Sequence, residues 1–270
     1  MTGDPEFRTD LYRGTAPFYD RFRPPYPDAL FDDLCARLPV SGDGRLLDLA
    51  CGTGQIAFPL APFFQEVVAV DQEVESVAYG RTKAQSLATP NITWIEGTAE
   101  GVELDGSFEL IAVGNAFHRL HRRLVAGRMI LWLQPRGGVA LLWCDTPWHG
   151  DRPWQRALAA RFEDWMRRLD ATDRVPPGWD EAIAREPHAL ILRRAGFVYV
   201  GRFEFPVNQT WDAPSLCGFA YSSSVLSLAV LGANRQAFER DVERCLLGFD
   251  STGTVASTAV YAYDFATRPG

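Results

Sequence analysis

The stretch Leu46-Leu47-Asp48-Leu49-Ala50-Cys51-Gly52-Thr53-Gly54, followed by Val67-Val68-Ala69-Val70-Asp71, constrains this chain more than any other feature. Both apolar runs are short and bounded by turn formers, as strands covered by helices on two faces are. Gly52 and Gly54 let the chain turn tightly at the first strand's end, and a helix is expected from about Gln55. Strand, turn, helix and second strand make a parallel pair, and a parallel pair commits its neighbours to α/β layering.

The rest of the pattern continues that alternation. Leu30, Phe31, Leu34, Cys35 and Leu38 mark one buried face of a helix over 28–38. Strands follow at 45–50, 66–71, 91–96, 108–114 and 138–144, with helices at 55–64, 74–87 and 119–133 between them. Pro59 and Pro62 should distort the first of these helices. Beyond Cys144 the texture changes, as Trp148, Trp154, Trp165 and Trp179 arrive among charged helical segments. A helix over 181–195 stops at Gly196, 197–207 alternates like a strand, 211–232 is aromatic, serine-rich and helical, 237–247 is an amphipathic helix and 255–265 a last strand. Internal repeats and low-complexity tracts are absent. The expectation is one domain over 1–270: a core of about 28–145 plus 197–207 and 255–267, and a helical substrate cap of about 146–195 and 211–250.

Gly52-Thr53-Gly54-Gln55-Ile56-Ala57 fits the G-x-G-x-x-[G/A] pattern of nicotinamide and flavin enzymes, and Asp71 lies near the place of a ribose-binding carboxylate. The glycines alone therefore do not choose a cofactor. Asp48 shifts the choice, because a carboxylate inside the strand end crowds a pyrophosphate and suits a cationic, phosphate-free ligand.

With those residues the chain resembles the class I S-adenosylmethionine (SAM) dependent methyltransferases, in the branch whose first motif reads D-x-A-C-G-T-G. The likeness runs back to Phe18-Tyr19-Asp20-Arg21-Phe22-Arg23-Pro24-Pro25-Tyr26-Pro27 and forward through Glu96-Gly97-Thr98-Ala99-Glu100, Gly114-Asn115-Ala116-Phe117-His118 and Leu133-Gln134-Pro135-Arg136-Gly137-Gly138. It implies a Rossmann-like, mostly parallel seven-stranded sheet flanked by helices, its last two strands an antiparallel pair at the edge, with a helical cap inserted after strand 5. It implies SAM as cofactor and S-adenosylhomocysteine (SAH) as product. The implied reaction is methyl transfer to N or O of a small-molecule acceptor, with specialised metabolites such as amino sugars or polyketides as the model substrates.

Each motif then has an expected duty and a plainer rival. By resemblance Asp48 takes the methionyl amine, Gly52, Gly54 and Ala50 let backbone approach the ligand, and Asp71 with Gln72 takes the ribose hydroxyls. The rival for the glycines is an ordinary tight turn, and for Asp71 a helix cap that is compatible with ligand binding. Thr98 stands where the family commonly has aspartate, so the adenine contact falls to Thr98 or to the Ala99 amide, unless Thr98 only caps its turn. Asn115 is expected beside the methionyl portion, Phe117 or His118 near the methyl group, and Tyr19 and Arg23 over the cofactor, Arg23 on its carboxylate. Candidate catalytic bases are His118, Asp145 and His149; packing is the rival for His118, and a plain turn for the loop holding Asp145 and His149. His118 with His121 makes an incomplete metal site, so no metal is expected. The four tryptophans and the Tyr221-Ser222-Ser223-Ser224 run either line the substrate space or pack and face solvent.

Bulk properties set the outer limits. A net charge of −7 and a pI of about 5.2 argue against nucleic acid and anionic membranes as partners and favour small molecules, cationic ones first. Five cysteines without a C-x-x-C pair read as reduced thiols, and no apolar run approaches the roughly 20 residues of a bilayer span, so a cytoplasmic monomer or homodimer is expected. Met1 to Phe7 reads either as a cloning scar or as a natural disordered start. Two other functions stay open: an NAD(P)-dependent oxidoreductase, which leaves Asp48 unexplained, and a SAM-fold binding or pericyclase-like scaffold without transfer activity.

Overall fold

A computed structural model describes residues 10–38 and 40–270, so the expectation for Met1 to Phe7 lies outside the described residues. The first half runs α1 (Ala16–Phe22), α2 (Asp28–Arg37), β1 (Arg45–Leu49), α3 (Ala57–Leu60), β2 (Glu66–Asp71), α4 (Val74–Ser86), β3 (Ile92–Glu96), β4 (Phe108–Gly114), α5 (Arg122–Trp132) and β5 (Leu133–Cys144). The second half runs α6 (Pro153–Arg168), α7 (Trp179–Arg185), α8 (His188–Arg194), β6 (Val198–Trp211), α9 (Ala213–Tyr221), α10 (Leu228–Leu231), α11 (Arg235–Leu247) and β7 (Val255–Thr267).

The seven strands form one sheet in the order β3-β2-β1-β4-β5-β7-β6. The first five are parallel, and β7 runs antiparallel between β5 and β6. Alternate residues of each strand feed opposite faces. Leu46, Val67, Leu110 and Ala112 pack with Leu30, Phe31 and Leu34 of α2, whereas Leu47, Val68, Ile111 and Val113 pack with Val125 and Met129 of α5.

The cap helices have a hydrophobic core of their own. Trp154, Leu158, Phe162 and Trp165 of α6 meet Leu216 and Phe219 of α9 and Phe238 and Val242 of α11. The β6/β7 ribbon carries this cluster, since its far end pairs Trp211 with Val255 and the Trp154 indole N–H donates to the Ala256 carbonyl at 3.1 Å. Trp148 stands edge-on to Phe162 and Phe219 at 4.8 and 5.3 Å, which makes the tryptophans of this region packing residues.

Three local expectations change. The helix after the glycine loop is one short α-turn from Ala57 to Leu60 followed by a 3-10 turn, because Pro59 and Pro62 each remove an amide donor. The helix expected over 181–195 is broken by Pro187 into α7 and α8. Helix α8, grouped with the cap on sequence, instead packs Ile191 and Leu192 into the sheet core beside α5.

Candidate active site

A cavity of about 460 Å³, within the size range of small-molecule sites, opens at the carboxyl ends of β1 to β4. The strand order reverses between β1 and β4, and the loops there diverge and leave a crevice. Asp48, Ala50, Gly52, Asp71, Gln72, Thr98, Ala99, Asn115 and Tyr19 all line it.

Asp48 is only 1% exposed, yet it faces this cavity. Its Oδ2 accepts the Ala57 amide at 2.9 Å, while Oδ1 has no hydrogen-bond partner in the protein. Burial lifts its pKa to about 7; the Ala57 amide opposes that rise and neighbouring Asp71 adds to it. Asp71 Oδ2 accepts the Gly52 amide at 2.7 Å and Oδ1 the Glu73 amide at 2.8 Å, so this carboxylate fixes the glycine loop and starts α4. Burial raises its pKa as well, against those two bonds.

Gly52 has φ +55, and a Cβ built on it would meet nothing within 4 Å, so the loop's crest is open. Gly54 does not line the cavity; its missing Cβ admits Trp94 and Phe58, which would lie 2.7 and 2.8 Å away. Ala50 and Asn115 adopt φ of 57° and 50° at the ends of adjacent strands. Left-handed backbone costs a non-glycine residue about 1 kcal/mol, and both examples face the cavity. The Asn115 conformation is held from β5: Oδ1 accepts the Cys144 amide at 3.0 Å and the Asn115 amide donates to Leu142 O at 2.8 Å. Thr98 Oγ1 accepts the Gly101 amide at 3.1 Å, the turn-capping arrangement.

The α1 segment covers the cavity from above. Tyr19 is half-buried there, and desolvation pushes its phenol up to about 12. Arg23 stays outside the cavity: its Nε donates to Ser222 Oγ at 2.8 Å and its guanidinium lies 4.1 Å over the Phe219 ring. The arginine expected to clamp a cofactor carboxylate therefore ties α1 to the cap, and the serine run is buried for the same reason.

Four further candidates also lie outside the lining. Phe117 is buried edge-on to His188 at 5.1 Å. His118 packs against Trp179 at 5.2 Å and its Nε2 accepts from Arg119 Nε at 3.3 Å. Burial and the adjacent Arg119 depress its pKa to about 3, so the ring is neutral but walled off. Asp145 and His149 sit in the loop leading to α6, where Gln155 binds the Pro147 and His149 carbonyls at 2.8 and 3.4 Å and turns the loop toward the cap.

The cavity also contains residues that no motif announced. Leu11, Tyr12 and Thr15 reach it from before α1, Glu73 from the start of α4, and Arg119, Leu120 and His121 from after β4. Glu73 accepts the Tyr12 amide, and the Arg119 guanidinium lies 4.9 Å over the Tyr12 ring. Asp48, Asp71, Glu73 and Glu100 thus face a single arginine among the described lining residues, which makes that part of the wall predominantly acidic.

Residues 46–137 match the methyltransferase domain family. YcgJ, an uncharacterized methyltransferase of Bacillus subtilis, is 35% identical over 99 residues, which cover 36% of this chain and 39% of YcgJ. Its crystal structure superposes with a TM-score of 0.55 at 16% identity, covering 90% of this chain and 100% of that one. A trans-aconitate 2-methyltransferase of Deinococcus radiodurans is 30% identical over 139 residues, 51% of each protein. The [4+2]-cyclase SpnF shares the fold with a TM-score of 0.59 at 17% identity over 99% of both chains. The chain spans about half the length of the curated relatives it matches. Strand order and cavity position agree with these likenesses: residues 46–137 match the methyltransferase domain family, and the whole chain shares the Rossmann-like fold of its solved neighbours.

Proposed function

We propose that this chain transfers a methyl group from SAM to a nitrogen or oxygen of a small-molecule acceptor, with specialised metabolites such as amino sugars or polyketides as the first candidates. The unpartnered Oδ1 of Asp48 carries the reading. A buried carboxylate oxygen without a donor is costly, and the cost is recovered when a cation binds it. A dinucleotide would instead bring a pyrophosphate against Asp48 and Asp71, which is why a nicotinamide oxidoreductase is the poorer fit.

The residues present fit SAM. Asp48 would take the methionyl ammonium and Asp71, through its remaining lone pairs, the ribose hydroxyls, with Gln72 beside it. Ala50 and Gly52 would bring backbone close, Thr98 and Ala99 would border the adenine, and Tyr19 would set an aromatic face near the sulfonium. When bound, SAM supplies an already activated methyl group and leaves as SAH. The protein then has to align the acceptor with that methyl and exclude water, which good orientation makes worth several kcal/mol. Because His118, Asp145 and His149 stand outside the cavity lining, we assign the acceleration to alignment and leave the acceptor's proton to the acidic wall.

The five free cysteines, three of them buried, support a reduced, cytoplasmic setting, and no described helix is long and apolar enough to cross a membrane. Calorimetry with SAM and with NAD tests the cofactor, and binding of NAD alone refutes the assignment. Labelled SAM incubated with an extract of the source organism, followed by identification of the labelled product, tests transfer. Tight SAM binding with no labelled product would favour the scaffold or cyclase reading.

A further inference from the structure

Of the eight tyrosines, five lie outside the cavity lining, and each has its hydroxyl engaged within the protein: Tyr79 donates to Asp20, Tyr199 to Asp264, Tyr221 to Glu239 and Tyr263 to Asp33, while Tyr261 accepts from Gln209. The other three, Tyr12, Tyr19 and Tyr26, line the cavity, and none of their hydroxyls has a hydrogen-bond partner among the described residues. A phenol turned inward ordinarily finds a partner, so this division points to a ligand. Tyr26 is the most enclosed of the three, at 5% exposed. Its ring stands edge-on to Phe31 and Tyr261 at 6.1 and 5.8 Å, and its Oη lies over the end of β4, 3.1 Å from where a Cβ on Gly114 would be. Burial first, then Cys144, Tyr19 and Asp48 beside it, hold this phenol well above its ordinary pKa, so it stays a donor at every working pH. Tyr19 joins it from α1, with the Arg23 guanidinium 4.9 Å over the far side of its ring.

From this geometry we infer that the hydroxyls of Tyr26 and Tyr19 bind the methionyl carboxylate of the cofactor, a duty that the sequence pattern gives to Arg23. The inference rests on the methyltransferase reading and adds residues to its cofactor site. With the methionyl ammonium on Asp48, the carboxylate hangs from the same carbon, so its donors must stand beside Asp48. Tyr26 does, and Tyr19 is its neighbour. A phenol donating to a carboxylate makes a charge-assisted bond, roughly twice as strong as a neutral one. The Tyr26 ring is already fixed between Phe31 and Tyr261, so little side-chain freedom is lost on binding. Arg23 contributes its charge from behind the Tyr19 ring: it works against burial at both phenols and strengthens them as donors.

The test is calorimetric titration of SAH, and of decarboxylated SAH, which keeps the amine and lacks the carboxylate, into wild type, Tyr19→Phe, Tyr26→Phe and Arg23→Gln. Wild type should prefer SAH. Each Phe variant should lose roughly 10- to 100-fold in SAH affinity, as for a bond to a charged group, and bind the decarboxylated ligand as wild type does, which also shows that its fold is intact. Unchanged SAH affinity in either Phe variant overturns the inference. An equal loss for both ligands also overturns it, by making the phenols part of the pocket's packing. A carboxylate-specific loss in Arg23→Gln alone overturns it too, by returning the clamp to the arginine. Failure of the wild type to bind SAH at all is a different result, and removes the methyltransferase reading itself.

Discussion

Replacing Asp48 by Asn should stabilise the ligand-free protein and weaken the holoprotein, and the two effects have one cause. The carboxyl titrates near pH 7 in the fold, against an ordinary value of 3.8, because it is buried and one oxygen lacks a donor. A raised acid holds its proton more tightly folded than unfolded, so stability falls as pH climbs from about 4 to about 7 and is level beyond. At about 1.4 kcal/mol per pH unit, the ionised group costs the fold on the order of 4 kcal/mol at pH 8. Asn keeps an oxygen for the Ala57 amide and removes the charge, but its NH2 is left buried and unpaired, at about 1–3 kcal/mol. The net gain is about 2 kcal/mol, or roughly 4 °C in Tm for a chain of this size. At pH 5 the folded carboxyl is protonated and only about 1.7 kcal/mol of that cost remains, which the unpaired NH2 offsets, so the difference should nearly vanish. SAM affinity should move the other way at pH 8, falling about 10- to 100-fold as a charge-assisted bond is lost. Thermal melts at pH 5 and pH 8, with and without SAM, read all four corners. A variant that melts below wild type at pH 8, or binds SAM unchanged, refutes the reasoning.

The other predictions concern the loop, the walled-off histidine and the cover. Asp71→Ala removes the acceptor of the Gly52 and Glu73 amides and should weaken SAM binding by about 1–3 kcal/mol by calorimetry; unchanged affinity would place the ribose elsewhere. His118→Ala should lower Tm by opening a gap beside Trp179 while leaving the shape of the pH–rate profile between pH 5 and 8 intact; loss of a limb of that profile would make the ring a base after all. In Gly218→Ala the new Cβ would fall 2.2 Å from the Phe22 ring, so α1 must lift from α9 at a cost of about 1–3 kcal/mol. Because α1 carries Tyr19, SAM affinity should fall along with Tm, and a fall in Tm alone would show that the cover is not needed for binding.

Some of this molecule was written in consecutive residues. The apolar runs at Leu46–Leu49 and Val67–Val70, the turn glycines and the alternation of periods are short-range patterns, and short-range patterns decide strands, helices and a parallel sheet. They also placed Asp48, Asp71 and Thr98 at strand ends, and strand ends on one side of such a sheet meet at one crevice. Side-chain partners are another matter, since a partner far along the chain leaves no periodic trace. Arg23 reads locally as a cofactor clamp, and its bond to Ser222, 199 residues away, ties it to the cap instead. His118 reads as a base beside the methyl, and Trp179, 61 residues on, covers it. Tyr12 and Arg119 carry no motif at all and meet over the cavity only after the N-terminal segment folds back across the sheet. Local sequence therefore determined the scaffold and the acidic rim, because backbone sterics and burial periodicity act over a few residues. Long-range packing alone decided which charged side chains face the ligand, because that depends on which distant surfaces bury one another.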